Sequence, residues 1–399
     1  MPVPLRFNRL ELAGSLGDLG TLLPLSMGMI LVNGLSPSGI FLSAGLFYIV
    51  SGLYFGIPTA VQPMKIIGAY AVAAALSTQQ LMAATLAMAV ILFLIAISGA
   101  MPWLSKHTPK PVVRGVQLST GVLLMSQATK FMLGTSTLQR MGELAEPYLA
   151  WQAVGPVPIG LLMGFGGTVL TLLLIDNRKF PAGLAVVGLG VLVGLCLGDH
   201  TRMGQFGLQV QMPEFLPFEM PAKIDFTFAF FALVIPQVPM TIGNAVLANA
   251  DLSIQYFGGS ARKVNGRSLC LSMALANIFA FTLGGIPMCH GAGGLAAHYR
   301  FGARTAGSNL MIGFFMVGAV ILMGDRLLSL FHLIPFAVLG VLLFFAGGQL
   351  ALTVADLNTR LDLFIPLIML GITLAANLAA AFCIGLLVYA FMRWRKIEP

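Results

Sequence analysis

Residues 284–295 read GGIPMCHGAGGL, and residues 58–71 read PTAVQPMKIIGAYA. Each stretch sets a Pro-Met pair ahead of a small apolar run. The pairs, Pro63-Met64 and Pro287-Met288, stand 224 positions apart, and the same offset carries Pro111 to Pro335, each opening an apolar helix. Upstream of each pair lies an apolar segment punctuated by polar residues, GSLGDLGTLLPL (14–25) and PQVPMTIGNAVLA (236–248). A shared offset on top of a shared order indicates an internal duplication.

Composition gives the duplication its setting. Of 399 residues, 58% are hydrophobic and 9% charged, and the mean hydropathy is +0.91. A soluble domain is about a quarter charged, and no single globular core could hide this much apolar side chain. Soluble enzyme, disordered tail and disulfide-stapled secreted domain are excluded together, leaving an all-α polytopic membrane protein. The net charge of +8 is expected to lie in cytoplasmic loops rather than to bind nucleic acid. Cys196, Cys270, Cys289 and Cys383 sit in apolar segments without metal-ligand spacing and read as small buried hydrophobes. No cofactor and no metal are expected. The N-terminal apolar run is interrupted by Glu11 and Asp18 and is not followed by a signal-peptidase motif.

Turn signals and charges divide the chain into fourteen candidate spans: 10–32, 37–56, 63–78, 80–100, 111–133, 153–175, 180–198, 225–250, 264–284, 287–299, 305–324, 333–350, 361–376 and 377–393. The first repeat is 1–198, the second 225–399, and the polar stretch 199–224 is an extracytoplasmic connecting loop. With the N-terminus in the cytoplasm, sixteen of the 22 Lys and Arg fall inside, including Lys106, Arg178, Lys179 and Lys396. Five fall outside (Lys130, Arg140, Arg202, Lys223 and Arg326), and Lys65 lies within a span. This asymmetry points to an even number of spans with both termini cytoplasmic. Seven spans per copy is odd, so the second copy enters from the opposite side. Such inverted repeats are common in secondary transporters, whose substrate sits near the bilayer midplane where short or broken helices face each other.

The short segments here begin at Gln62-Pro63-Met64-Lys65 and Ile286-Pro287-Met288-Cys289-His290-Gly291. Proline suits a first helical position, so both read as helix N-termini within the membrane, where free N–H groups and the dipole favour an anion. Gly291, Gly293 and Gly294 would let a ligand approach the backbone. Lys65 costs roughly 2.5–3.5 kcal/mol in a span. A bound anion would resolve that cost; pairing with Asp18, or snorkelling, is the alternative.

At these residues a family becomes recognisable. PTAVQPMKIIGAYA and GGIPMCHGAGGLAAHYRFGARTAG (284–307) resemble the two signature stretches of the molybdate transporters related to the SulP sulfate permeases. ELAGSLGDLGTLLPL (11–25) and PMTIGNAVLANADLS (239–253) resemble that family's first and eighth spans. SulP permeases usually carry a further cytosolic domain, for which the chain after Arg393-Trp394-Arg395-Lys396 leaves no room; this favours the molybdate branch. The resemblance implies a seven-plus-seven inverted repeat of the SulP/uracil-permease type. A core domain (10–100 and 225–324) would work against a gate domain (111–198 and 333–393), with substrate between the third and tenth segments. A homodimer through the gate domain follows by family analogy only.

The candidate substrate-binding set is Gln62, Met64, Lys65, Ser15, Asp18, Thr21, Gln237, Thr241, Asn244, Met288, Cys289, His290, Gly291 and Gly293. Ser15 and Thr21 are rough counterparts of Gln237, Thr241 and Asn244; their hydroxyl and amide groups suit oxyanion oxygens or, equally, glue helices together. Asp18 and His290 are candidate proton carriers. Glu11 reads as an interfacial charge, and Arg300 and Arg304 as positive-inside charges. The glycines at 164, 166, 167, 188 and 190 read as helix-packing positions.

The expected function is secondary import of molybdate, a tetrahedral oxyanion, through a bacterial inner membrane by alternating access. Bringing in a dianion against a negative interior costs roughly 4.6 kcal/mol per 100 mV. Two co-transported protons would make the step electroneutral and a third would let the potential drive it. Sulfate is the close rival substrate. A nucleobase permease is disfavoured because Asn244 and His290 stand where such sites favour carboxylates. An intramembrane Cys289-His290 enzyme is disfavoured because neighbours on a helix diverge by about 100°, and a channel because a buried Lys between two half-helices suggests a binding site.

Overall fold

The computed structural model describes residues 4–101, 103, 109–174, 177, 182–199, 201, 207–211 and 214–395. Lys106, Arg178, Lys179, Arg202 and Lys396 of the charge count, and parts of the 199–224 connection, lie outside the described residues. A helix falls within each of the fourteen segments. Among the described residues seven helices are long and apolar enough to cross a membrane: Arg9–Leu31, Pro37–Phe55, Thr78–Ser98, Lys223–Ala261, Gly266–Leu283, Phe336–Asp356 and Leu378–Arg395. Shorter apolar helices include Lys65–Ala74, Ile159–Leu174, Ala182–Leu197 and Gly307–Met323.

Local chemistry explains the boundaries. Ser36 caps the Pro37–Phe55 helix by accepting from Gly39 N–H at 3.1 Å, Pro37 sits where no N–H is needed, and Gly56 closes the end in a left-handed conformation (φ 72°). Ser77 and Gln80 form a capping box at the start of Thr78–Ser98. The first span differs from a plain helix. It is interrupted between Arg9–Ser15 and Leu19–Leu31, with Asp18 at the cap of the second piece.

Packing brings the two halves together with opposed direction. The Pro37–Phe55 helix lies antiparallel on Gly307–Met323: Gly45 abuts the Gly313 carbonyl and Met316, and Gly52 abuts Asn309. In the same manner the Lys110–Met132 helix crosses Phe336–Ala351, with Gly121 against the Gly347 carbonyl and Gly340 against that of Ala128. Missing Cβ atoms allow this backbone approach. Gly164, Gly167 and Gly190 pack likewise on Met132, Val341 and Val338, whereas Gly166 and Gly188 face open space. Cys270 and Cys289 are buried, but Cys196 and Cys383 are exposed, on helices whose outward sides remain apolar.

At the centre the two Pro-Met stretches form a minimal antiparallel pair, Gln62 opposite Cys289 and Pro63 opposite Met288, with Met64 N–H donating to the Pro287 carbonyl at 2.8 Å. Extended backbone deep in an apolar bundle must have its polar groups satisfied. Two asparagines do this. Asn277 accepts from Met288 N–H (2.8 Å) and donates to its carbonyl (2.9 Å). Asn309 accepts from Thr59 N–H (3.0 Å) and donates to its carbonyl (2.8 Å). Replacing Asn309 by Ala strands both groups of Thr59, each costing about 1–3 kcal/mol. The expected result is a fall of several degrees in the apparent melting temperature in detergent; an unchanged value would show that these bonds do not hold the extended stretch.

Candidate functional site

A cavity of about 480 Å³ opens between the broken first span, the Lys65–Ala74 half-helix, the Lys223–Ala261 helix and the antiparallel pair Lys110–Met132 and Phe336–Ala351. Its polar lining is Thr21, Lys65, Asn244, Gln117, Gln349 and Thr353, with Lys110 and Arg114 at one end. Lys65 occupies the first position of its half-helix because Met64 stands at the cap and the strand ends at Pro63. It is half-buried, and among the described residues no carboxylate oxygen lies within 4.0 Å of its ammonium and no hydrogen bond ends on it. The Asp18 pairing is therefore not formed.

Asp18 has other partners. It is 1% exposed, accepts from Gln62 Nε2 at 2.5 Å on Oδ1, and lies 3.5 Å from the Tyr48 hydroxyl on Oδ2. Tyr48 also donates to the Val61 carbonyl at 3.2 Å. Gly291, the cap of the Ala292–Arg300 half-helix, and Gly294 in its first turn are pressed on this cluster. A Cβ at Gly294 would stand 2.6 Å from Asp18 Oδ1, and one at Gly291 would collide with the Gln62 amide. With its nitrogen turned to Asp18, Gln62 leaves Oε1 without a donor among the described residues.

The anion seats of the two half-helices are not equivalent. Gln237 Oε1 accepts from Ile66 N–H (3.0 Å) and Ile67 N–H (3.3 Å), and Gln237 Nε2 donates to Thr241 at 2.9 Å. Gln237 of the eighth segment, held by Thr241, therefore caps the first half-helix and uses up two N–H groups expected to be free for an anion. At the second half-helix Gly293 is exposed. His290 is fully buried between Phe47 and Phe55, with Nδ1 2.8 Å from the Ala60 carbonyl and Nε2 3.0 Å from Ser272 Oγ. Ser15 turns back onto the Leu12 carbonyl at 2.7 Å. Met64, Met288 and Cys289 are buried in the central pair.

Of the candidate residues, then, Thr21, Lys65 and Asn244 line the cavity; Gln62, Asp18 and the Gly291 turn form a packed layer behind it, and His290 lies within that packing. Glu11 is corrected. It is 1% exposed and accepts from Arg304 N–H (3.1 Å) and Thr305 N–H (3.0 Å), because those N–H groups precede the Gly307–Met323 helix and have no backbone acceptor. Arg304 itself stacks over Tyr299 at 3.6 Å. Gln349, Gln117 and Thr353 were not singled out by the sequence reading; the only signal available was amide and hydroxyl groups spaced along apolar spans.

Residues 10–124 and 229–350 match the family model described as "Molybdate transporter of MFS superfamily". The chain belongs to this family. Molybdate transporter 2 of Arabidopsis thaliana is 29% identical to this family member, over 97% of this chain and 88% of its own. Molybdate transporter 1 of Chlamydomonas reinhardtii is 30% identical over 94% and 90%. Among solved structures, the transmembrane domain of the cyanobacterial bicarbonate transporter BicA superposes with a TM-score of 0.69 at 16% identity, covering 96% of this chain and all of that one. Murine Slc26a9, an anion transporter, superposes at 0.67 and 13% identity, over 98% of this chain and 69% of that one. The fold of this molybdate-transporter family member is thus the one shared by SulP-type anion transporters, and the protein is an integral membrane protein.

Proposed function

We propose that this protein imports molybdate, held in the central cavity by Lys65 with Thr21 and Asn244. The observation that carries the reading is Lys65, which lines that cavity without a salt bridge among the described residues, in a chain of the molybdate transporter family. A tetrahedral dianion supplies the missing charge and accepts from the hydroxyl and amide. The seven-plus-seven inverted repeat is supported by the antiparallel pairing of Gln62-Pro63 with Met288-Cys289 and by the opposed packing of Lys110–Met132 on Phe336–Ala351, the fifth span of each half. The cavity separates a core domain bearing Lys65 and Asn244 from a gate domain bearing Gln117 and Gln349, as alternating access requires. Its charged end, at Lys110 and Arg114, is the cytoplasmic one by the positive-inside asymmetry.

Uptake is coupled to protons in this reading, with the Asp18–Gln62–Tyr48 cluster as the buried group next to the half-helices. Radiolabelled molybdate uptake into proteoliposomes under an imposed pH gradient tests both claims. The expected result is uptake that needs the gradient and resists excess unlabelled sulfate. Equal block by sulfate would move the assignment to a general oxyanion carrier, gradient-independent uptake would remove the coupling, and absence of uptake under any gradient would remove the function.

A further inference from the structure

The charged end of the cavity holds an arrangement that the Lys65 site does not use. Arg114, on the Lys110–Met132 helix, grips Asp356 with two prongs, Nε to Oδ1 at 2.9 Å and Nη2 to Oδ2 at 2.5 Å. Its remaining nitrogen, Nη1, donates to Gln117 Oε1 at 2.7 Å, and the same oxygen accepts from Thr353 at 3.0 Å. The guanidinium is therefore oriented from behind, while the edge that faces Asp356 presents two parallel N–H donors to a pair of oxygens. Lys110 reaches the same carboxylate at 3.2 Å. Two cations share one anion, and Lys110, Arg114 and Lys65 all line the one cavity.

We propose that Arg114 is a second ligand for the oxyanion, contributed by the gate side, and that Asp356 is the protein's own competitor for it. The inference rests on the reading that the cavity takes a tetrahedral oxyanion. Such an ion offers the guanidinium fork the same two-oxygen edge that the carboxylate does, with twice the charge. The Asp356 side chain is 44% exposed and that of Arg114 is 23% exposed, and a pair this accessible to water is readily exchanged. An oxyanion that replaces Asp356 is held by Lys65 on one wall and Arg114 on the other. Binding is then coupled to the distance between the walls, and Asp356 sets how much of the binding energy is spent on displacing it.

Equilibrium binding of molybdate to the purified full-length protein in detergent, at constant salt, tests this. Asp356→Asn is expected to tighten binding about tenfold, and Arg114→Gln to weaken it about tenfold. In the Arg114→Gln background, Asp356→Asn should change nothing. Arg114→Lys, which keeps the charge and loses the fork, should bind more weakly than wild type and serves as the second variant if Arg114→Gln does not fold. An Asp356→Asn affinity within a factor of two of wild type would overturn the proposal. So would equal tightening with and without Arg114, which would assign the effect to the general field of Lys110. Wild-type binding that depends on Lys65 but ignores Asp356 removes this inference alone; wild-type binding no tighter than that of Lys65→Ala removes the substrate site and the inference together.

Discussion

Lys65→Ala is expected to lower molybdate affinity by at least about a hundredfold and to reduce uptake to background. Removing one member of a desolvated charge pair costs about 3–5 kcal/mol, and each 1.4 kcal/mol is a factor of ten. The stability of the ligand-free protein should go the other way. Its ammonium is half-buried with no ion pair among the described residues, so the alanine variant loses a desolvated charge and no bond. Its apparent melting temperature without molybdate is expected to equal or exceed that of wild type, while the increase that molybdate produces in wild type disappears. Lys65→Arg should recover part of the binding. A variant that melts many degrees lower yet still binds would show that Lys65 is a structural cation, and the substrate would have to be sought elsewhere.

The second large effect is expected at Glu146, in the loop between the Lys110–Met132 and Ile159–Leu174 helices. This carboxylate is 1% exposed and accepts from Phe336 N–H and Ala337 N–H, each at 2.8 Å, so it caps the Phe336–Ala351 helix from a distant part of the chain. Glu146→Ala leaves two buried donors unsatisfied, a cost of about 2–6 kcal/mol. Burial raises the carboxyl from 4.5 to about 7, although the two backbone donors oppose the shift. The folded protein therefore holds this proton more tightly than the unfolded chain does. Its contribution to stability is complete below about pH 4.5 and is lost as the pH rises through about 7. The loss is on the order of 3 kcal/mol. Glu146→Gln cannot titrate, so the gap in apparent melting temperature between wild type and this variant should change across that window, with wild type losing ground as the pH rises. A constant gap between pH 4.5 and 8 would show that the carboxyl does not titrate there.

Much of the fold is legible in the sequence because it depends on terms that act along the chain. Spans are set by the length of apolar runs, and their ends by Ser77, Gly56 and Pro37, whose effects are local. The Pro-Met pairs mark where the spans are interrupted, since proline excludes the preceding hydrogen bond wherever it occurs, but neither proline opens a helix: the pairs form extended backbone, and the half-helices begin only at Lys65 and Ala292. Lys65 is conspicuous because a charge in an apolar run is costly in any fold.

The roles of polar residues inside the spans were less legible. Gln237 reads equally well as a ligand group or as helix glue, and nothing in the sequence singles out Asn277 or Asn309. In the folded protein all three satisfy broken or extended backbone contributed by another segment. Glu11 reads as an edge charge until the turn at 303–305 lies on it. Arg114 reads as one more cytoplasmic charge until the Phe336–Asp356 helix brings Asp356 to it.

The sequence by itself determined that this is a helical membrane protein in which a Pro-Met pair recurs 224 residues on, with a lysine directly after the first pair in an apolar run. Hydropathy, proline and charge act on the chain wherever it goes, so these features are visible without coordinates. Only the tertiary structure decided which polar groups are already spent on backbone and which still face the cavity. A hydrogen-bonding group has the same letter whether satisfied or free, and the partner that satisfies it here lies up to 299 residues away.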